Sequence, residues 1–376
     1  MHKMFQYRIY PTKKQVKLLH DTLEECRWLY NHLLENRKTA YEQVGESLTC
    51  YAQINTFPVL KQERPSLANV HSQVLQNVAV RIDLAMKAFF RRCKAGEKPG
   101  YPRFKGYGRY DSFTFPQSGF SLTHDNRVTL SKIGSVKLVS HRPVKGTIKT
   151  CTVQRSSTGK WYVCFSVECA AQRLPDVPSQ VGIDVGLKTF ATTSDGIEIA
   201  NPRFFRKEEL ALAKAQRRLC KAEKGTPERH HKRKAVARIH ERIGWRRENF
   251  THQQSRKIVN RYGVICVEDL HVNRMIHNHC LAKSISDAAW SLFFAQLSCK
   301  AAEAGRAFVK VNPAYTTQDC SRCHHRQKIP LSERTYHCPC CLLICDRDLN
   351  AALNIRAVGL HSLGLSLEAP GFSRGE

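Results

Sequence analysis

The 376-residue chain has no run of about 18 apolar residues, the length a helix needs to cross a bilayer. It also has no amphipathic terminal stretch of the kind that anchors to a lipid surface, so no membrane partner is expected. The opening residues, MHKMFQYRIYPTKKQ, lack the apolar core of a signal peptide. Export is therefore not expected, and a cytoplasmic location is. No segment repeats at solenoid periods. Acidic residues are scarce: 32 Asp+Glu face 60 Lys+Arg, a net charge of +28. That excess opposes a compact state by self-repulsion, which makes a polyanion the natural partner and nucleic acid the favoured one. Disorder is not the default, because 42% hydrophobic residues suffice for cores and the length suits two or three domains.

Cysteine is abundant but uneven. Six of the 16 fall between Cys320 and Cys345, while the others stand singly in ordinary segments and read as small buried hydrophobes. A disulfide framework belongs to small secreted chains and is set aside. Cys320-Ser-Arg-Cys323 and Cys338-Pro-Cys-Cys341 are two C-x-x-C knuckles separated by fourteen residues. Four thiolates at that spacing can close a tetrahedral Zn²⁺ site. Such a closed site is a folding staple with no open position for water. Cys340, Cys345, His324, His325 and His337 lie close enough to be alternative ligands.

The chain reads as a series of elements. MFQYRIY (4–10) alternates as a strand up to Pro11. Thr12 and Gln15 have capping-box spacing, and Val16, Leu19, Leu23, Cys26 and Leu33 then mark one apolar helix face. A second helix carries Val78, Ile82, Ala85 and Phe89. Short strands follow at 112–115, 127–130 and 135–139, and a hairpin pairs TIKTCTVQR with KWYVCFSVEC. These read as a small antiparallel sheet or barrel, which the first strand joins across the helical insertion. After a linker at 171–180 come three short strands in VGIDVGLKTFATTSDGIEIA, a basic helical region over 203–260, and the strand YGVICVED. One helix is expected over 286–304, then the strand AFVKV, the cysteine cluster and a last helix in DRDLNAALNIRAVG.

Three carboxylates sit where apolar elements end. Asp184 closes VGID, Glu268 closes VICVE, and Asp348 opens the final helix. Any one such acid is usually a turn or cap residue. Three in the order strand, strand, helix match an RNase H-type sheet. Buried carboxylates need a cation to neutralise them, and hard oxygen ligands suit Mg²⁺ or Mn²⁺. Two such ions about 3.5–4 Å apart can activate water and stabilise a leaving 3′ oxygen. Asp269 and Asp346 are near neighbours that spacing alone does not exclude.

Residues 201–260 carry eighteen Lys+Arg against six Glu, which suits phosphate neutralisation. The run at 98–110 interleaves Tyr and Phe with basic residues, adding a stacking surface for unpaired bases. Candidate nucleic-acid contacts are Tyr101, Arg103, Lys105, Lys188, Arg217, Arg218 and Arg233.

GIDVGLKTFATTSDG, VEDLHVNRM, AKSISDAAWSLF, YTTQDCSRC and CDRDLNAALNI resemble successive signatures of the TnpB (OrfB) proteins of insertion sequences. FQYRIYPTKKQ and YPRFKGYGRYDSF resemble the amino-terminal half of that family, so the likeness covers nearly the whole chain. The family is similar to a compact ancestor of the type V CRISPR effectors. The resemblance implies an RNA-guided DNA endonuclease with one protein chain per guide RNA. Its partners would be a guide RNA from the transposon end and double-stranded target DNA beside a short adjacent motif. It implies a multidomain α/β and β fold: a wedge-type β-barrel (1–11 and 104–175) interrupted by a helical recognition domain (12–103). An RNase H-like (RuvC) nuclease domain (176–315 and 346–364) with an inserted zinc ribbon (316–345) and a tail (365–376) would follow. By the family pattern Asp184, Glu268 and Asp348 are the catalytic, magnesium-binding acids, and Cys320, Cys323, Cys338 and Cys341 the zinc ligands. The chain departs from the family at His324, where glycine is common after the knuckle, and at Cys340. Two alternatives follow from the same residues: a guided DNA binder that has lost cleavage, and a protein-only DNA transposase with an RNase H-like triad.

Overall fold

The computed structural model describes residues 1–123, 125–330 and 332–365. The chain divides into two compact units at Ala170 and Ala171.

In the amino-terminal unit β1 (His2–Tyr10) runs into α1 (Lys13–Val44). Thr12 caps α1 in a complete capping box with Gln15, worth about 1 kcal/mol. Leu19, Leu23, Cys26, Leu29 and Leu33 are buried on one face of α1. Each fully buried leucine contributes roughly 1.5–3 kcal/mol. Two short helices, α2 (Cys50–Asn55) and α3 (Phe57–Glu63), lead to α4 (Ser72–Lys94). The sheet is then completed by β2 (Ser112–Phe115), β3 (Phe120–Thr123), β4 (Arg127–Leu130), β5 (Gly134–Val139), β6 (Thr147–Arg155) and β7 (Trp161–Glu168). Its order is β2-β6-β7-β1-β5-β4-β3, antiparallel throughout. β1 lies between β7 and β5, so the four helices are inserted between the first and second strands of one sheet. The edge strands approach each other through Phe115 and Phe120, whose rings lie 6.4 Å apart, so the sheet is nearly closed. Sequence pattern missed β3, because three of its four residues are exposed and show no alternation.

The second unit starts with β8 (Gln180–Val185), β9 (Thr189–Thr193) and β10 (Glu198–Ala200). The basic helical region is two helices, α5 (Phe204–Cys220) and α6 (Pro227–Arg261), separated at Gly225 by a left-handed turn that the Thr226 cap and Pro227 restart. β11 (Val264–Glu268), α7 (Val272–Met275), α8 (His279–Ala288), α9 (Trp290–Ala304) and β12 (Ala307–Val311) follow. The helix expected over 286–304 is broken: Ala289 adopts left-handed backbone (φ 58°), so α8 ends and α9 begins there. Asp287, just before the break, accepts from the Phe205 backbone and from Arg247, tying α8 to α5 and α6. The sheet order is β10-β9-β8-β11-β12, with β8, β11 and β12 parallel and β9 and β10 antiparallel. A small ribbon, β13 (Thr335–His337) with β14 (Ile344–Asp346), precedes the last helix, α10 (Arg347–Ser362). The expected tail at 365–376 falls, apart from Leu365, outside the described residues. No helix among the described residues is long and apolar enough to cross a membrane.

Candidate active site and metal centre

β8 and β11 pair in parallel through Val267 and Ile183. One step further on, Asp184 and Glu268 stand side by side on strands about 4.8 Å apart, at the strand ends where open α/β sheets place their ligands. The third carboxylate arrives on α10, and two glycines let that helix lie directly on both strands. A Cβ on Gly182 would meet the Ala352 carbonyl at 2.0 Å and the Arg356 nitrogen at 2.5 Å. A Cβ on Gly359 would meet the Cys266 sulfur at 2.3 Å. With the helix seated on β8 and β11, Asp348 in its first turn comes into electrostatic range of Asp184. Glycine inside a strand marks such a close approach, and Gly182 in VGID was a signal the sequence reading passed over.

Asp184 is 8% exposed and Glu268 7%. Burial, then the charges of Glu268 and Asp348, push the Asp184 carboxyl well above the usual aspartate range. Burial also raises Glu268, against a hydrogen bond from the Thr316 hydroxyl. Asp348 is flanked by Arg347 at 3.3 Å and Arg334 at 3.4 Å. The two near neighbours left open by spacing have other work. Asp269 is half-exposed and pairs with Lys310 at 2.9 Å, and Asp346 is the cap of α10, accepting from the backbone of Asp348 and Leu349. Two buried carboxylates with raised affinity for protons, Asp184 and Glu268, and a third acid, Asp348, within electrostatic reach of Asp184 suit a hard divalent cation, which removes both the burial penalty and the mutual repulsion.

In the ribbon, the sulfurs of Cys320, Cys323, Cys338 and Cys341 all lie within 4.8 Å of one another. Cys320 and Cys341 are 3.6 Å apart, Cys323 and Cys338 3.5 Å. A tetrahedron with 2.3 Å metal–sulfur bonds has edges of about 3.8 Å, so the quartet fits zinc. Burial disfavours the Cys338 thiolate, but the backbone N–H groups of Cys341 and Cys340 and the neighbouring thiols outweigh it and hold its pKa at about 6. Cys340 is exposed and Cys345 half-buried, and neither belongs to the quartet. His324 does not join it either. It takes the left-handed position (φ 60°) that closes the first knuckle, its N–H donating to the Cys320 carbonyl. Leu342 (φ 57°) does the same for the second knuckle.

The ribbon is fastened to the sheet by α10. Asn350 donates to the Asp319 carbonyl and accepts from the Ser321 backbone, while Asn354 donates to the carbonyls of Thr316 and Asp319. Sequence reasoning missed both asparagines and Thr316.

The candidate nucleic-acid contacts fall in separate places. In the first unit Tyr101 packs edge-on against Phe89, and Arg103 and Lys105 line a cavity of about 510 Å³ with Arg109 and Arg155. In the second, exposed Lys188 borders a cavity of about 460 Å³ with Arg203 and Arg206. Arg217 and Arg218 end α5 and Arg233 lies near the start of α6, so these exposed groups share the tip of the helical hairpin.

A protein of Streptomyces pristinaespiralis named "Putative RNA-guided DNA endonuclease" is 33% identical over 366 residues, spanning 95% of this chain and 89% of its own length. The chain belongs to the TnpB (OrfB) family. An Escherichia coli (strain K12) relative of the same name with the suffix InsQ is 29% identical across 94% of this chain and 92% of its own. The "CRISPR-associated endodeoxyribonuclease Cas12f1" of Sulfoacidibacillus thermotolerans is 27% identical across 59% of this chain and 56% of its own. Family models match residues 153–279 ("Probable transposase") and 290–355 ("Cas12f1-like, TNB domain"). A third, "Helix-turn-helix domain", matches 1–46, where this TnpB-family chain forms a strand and one uninterrupted helix. Among solved structures, a Cas12f1–sgRNA–target DNA complex aligns with a TM-score of 0.59 at 16% identity, covering 92% of this chain and 83% of that one. The mini-RNA-guided endonuclease Cas_phi3 aligns at 0.51 and 10%, covering 98% and 94%. The TnpB-family chain thus shares the fold of these effectors.

Proposed function

We propose that this protein is an RNA-guided DNA endonuclease of a transposable element, cutting through Asp184, Glu268 and Asp348 in a RuvC-type nuclease domain. The meeting of those three carboxylates, from two neighbouring strand ends and one helix start, is the observation that carries the reading. Its guide is an RNA from the transposon end. Its target is double-stranded DNA beside a short adjacent motif, with base pairing supplying specificity and basic surfaces holding the backbone. Residues 1–11 and 104–175 serve as the wedge barrel, 12–103 as the recognition domain, 176–315 and 346–364 as the nuclease domain and 316–345 as the zinc ribbon.

The three acids would hold Mg²⁺ or Mn²⁺, which supplies activation of water and stabilisation of the leaving oxygen. The chain's own contribution is to fix these carboxylates on a rigid sheet and to keep them out of bulk water. Arg334 and Arg347 balance Asp348. Tyr101, Arg103, Lys105, Lys188, Arg217, Arg218 and Arg233 offer stacking and phosphate contacts. Zinc in the Cys₄ ribbon is structural, because a closed quartet leaves no position for substrate.

The test is to express the protein with its flanking DNA, sequence the RNA that co-purifies, and challenge the complex with a target matching that RNA's 3′ end. A discrete RNA and Mg²⁺-dependent cleavage are expected, with Asp184→Ala binding the target but not cutting it. Target binding without cleavage by the unaltered protein would leave a guided binder. Strand joining that survives ribonuclease treatment would instead make it a protein-only transposase.

A further inference from the structure

The segment between β12 and the first knuckle is unusually constrained. Tyr315 is held in left-handed backbone (φ 67°), with the Arg326 guanidinium 3.7 Å above its ring and the backbone of Gln318 and Asp319 donating to its carbonyl. The next residue, Thr316, is 5% exposed and fixed at both ends. Its carbonyl accepts from Asn354 at 2.9 Å, and its hydroxyl donates to Oε1 of Glu268 at 2.5 Å, with the Pro313 carbonyl 3.2 Å away. Asn354 and the fully buried Asn350 both hold the Asp319 carbonyl, one residue before the first zinc-ligand candidate.

Glu268 thus ends a rigid strand but reaches its hydrogen-bond partner across 48 residues of sequence. A glutamate left to itself has several side-chain torsions to order, and that lost freedom opposes binding. A donor on a clamped backbone removes much of that freedom in advance.

We infer that Thr316 is a positioning residue: its hydroxyl, carried on the root of the ribbon and clamped by α10, fixes the orientation of the Glu268 carboxylate. Glu268 is thereby presented ready-made to whatever the acid cluster binds, and the ribbon root becomes part of the active-site support. This rests on the assignment of the three acids proposed above. Outer-shell hydrogen-bond partners of ligating carboxylates typically govern metal affinity or activity by about 10–100-fold.

The test compares Thr316→Val, which keeps the shape and removes the donor, with Thr316→Ser, which keeps the donor. Both are purified as the complex with co-expressed RNA. Fe²⁺ with ascorbate and peroxide cuts a polypeptide next to a bound metal, so fragments ending near residues 184, 268 and 348 report occupancy without any DNA cleavage. The Mg²⁺ concentration that suppresses those fragments measures competition at the same place. Thr316→Val should require about 10–100-fold more Mg²⁺, both to suppress the fragments and to reach half-maximal DNA cleavage, while Thr316→Ser stays near the unaltered protein. Equal Mg²⁺ requirements for Thr316→Val and the parent would overturn the inference. Equal losses in Val and Ser would do the same, since the donor would then not be what matters. Should Thr316→Val lower the melting temperature or lose RNA, Thr316→Ala replaces it in the same comparison. Asp184→Ala is run alongside: fragments and cleavage that persist in it would indict the acid assignment, not the role of Thr316.

Discussion

Gly182→Ala adds one methyl group at the place where α10 rests on β8. The new Cβ would lie 2.0 Å from the Ala352 carbonyl oxygen, 2.5 Å from the Arg356 nitrogen and 2.9 Å from the Arg356 Cβ. Two of these are backbone atoms of a continuous helix, so no side-chain rotation relieves the clash. Comfortable non-bonded separations are roughly 3.5 Å, so α10 must retreat by about 1 Å or more. Asp348 rides on that helix, while Asp184 sits two residues beyond the substitution on the strand. The retreat therefore separates the two carboxylates directly. Overpacking of this kind costs about 1–3 kcal/mol. At about 2–4 °C per kcal/mol for a unit of this size, the melting temperature should fall by about 2–12 °C. A misplacement near 1 Å costs about 100-fold in rate. The assay is cleavage of a guide-matched target at about 25 °C, below the usual range of melting temperatures, with Gly244→Ala as control. Gly244 lies within α6 with nothing within 4 Å of an added Cβ, so that change should be neutral or stabilise by about 0.5–1 kcal/mol. Gly182→Ala cleaving at the parental rate would refute the claim that close contact between α10 and β8 sets the acid geometry.

The purified protein should hold one zinc per chain by elemental analysis; Cys323→Ser should lose it, and Cys340→Ser should keep it. His324→Gly and Leu342→Gly each relieve a side chain from left-handed backbone and should slow loss of zinc to a chelator, through about 1–2 kcal/mol of added stability. Without divalent metal, Asp184→Asn should raise the melting temperature at neutral pH. Burial and the charges of Glu268 and Asp348 raise the folded-state pKa of Asp184, so its contribution is intact below the unfolded value near 3.9 and is lost as pH climbs through the folded value. The melting-temperature gap between Asp184→Asn and the parent should therefore widen from about pH 4 upward and shrink when Mg²⁺ is added. A gap independent of pH would refute it.

Local chemistry was legible where a residue's role is set by its immediate neighbours. The Thr12–Gln15 capping box, the 147–168 hairpin and the two knuckles all carry their signal within a few residues, and the structure holds each of them. What escaped depends on tertiary partners. Asp-Ala-Ala-Trp at 287–290 contains no helix breaker, yet Ala289 is left-handed. The break turns α8 and α9 so that Ile285 and Ala288 on one side and Trp290, Phe293 and Leu297 on the other bury in one core. Their combined burial outweighs the roughly 1–2 kcal/mol of backbone cost. Spacing leaves Glu268 and Asp269 open and only the family resemblance favours Glu268; the physical distinction lies in the sheet, where adjacent residues point to opposite faces, Glu268 is buried and Asp269 meets Lys310.

The path of the chain explains why a four-cysteine cluster sits where it does. The chain must travel from β12, at the edge of the sheet, back to α10 over β8 and β11, through residues 312–346. A connection that long with little structure of its own would leave the start of α10 poorly fixed. Crosslinking its two knuckles closes the inner loop, and the buried asparagines of α10 then grip its root at Thr316 and Asp319. Because Thr316 also holds Glu268, the first turn of α10 and the end of β11 are braced by the same short segment. Two of the three acids thus depend on an element that contributes no carboxylate, and a mutation that loosens the ribbon should disturb the acid cluster before it unfolds the sheet.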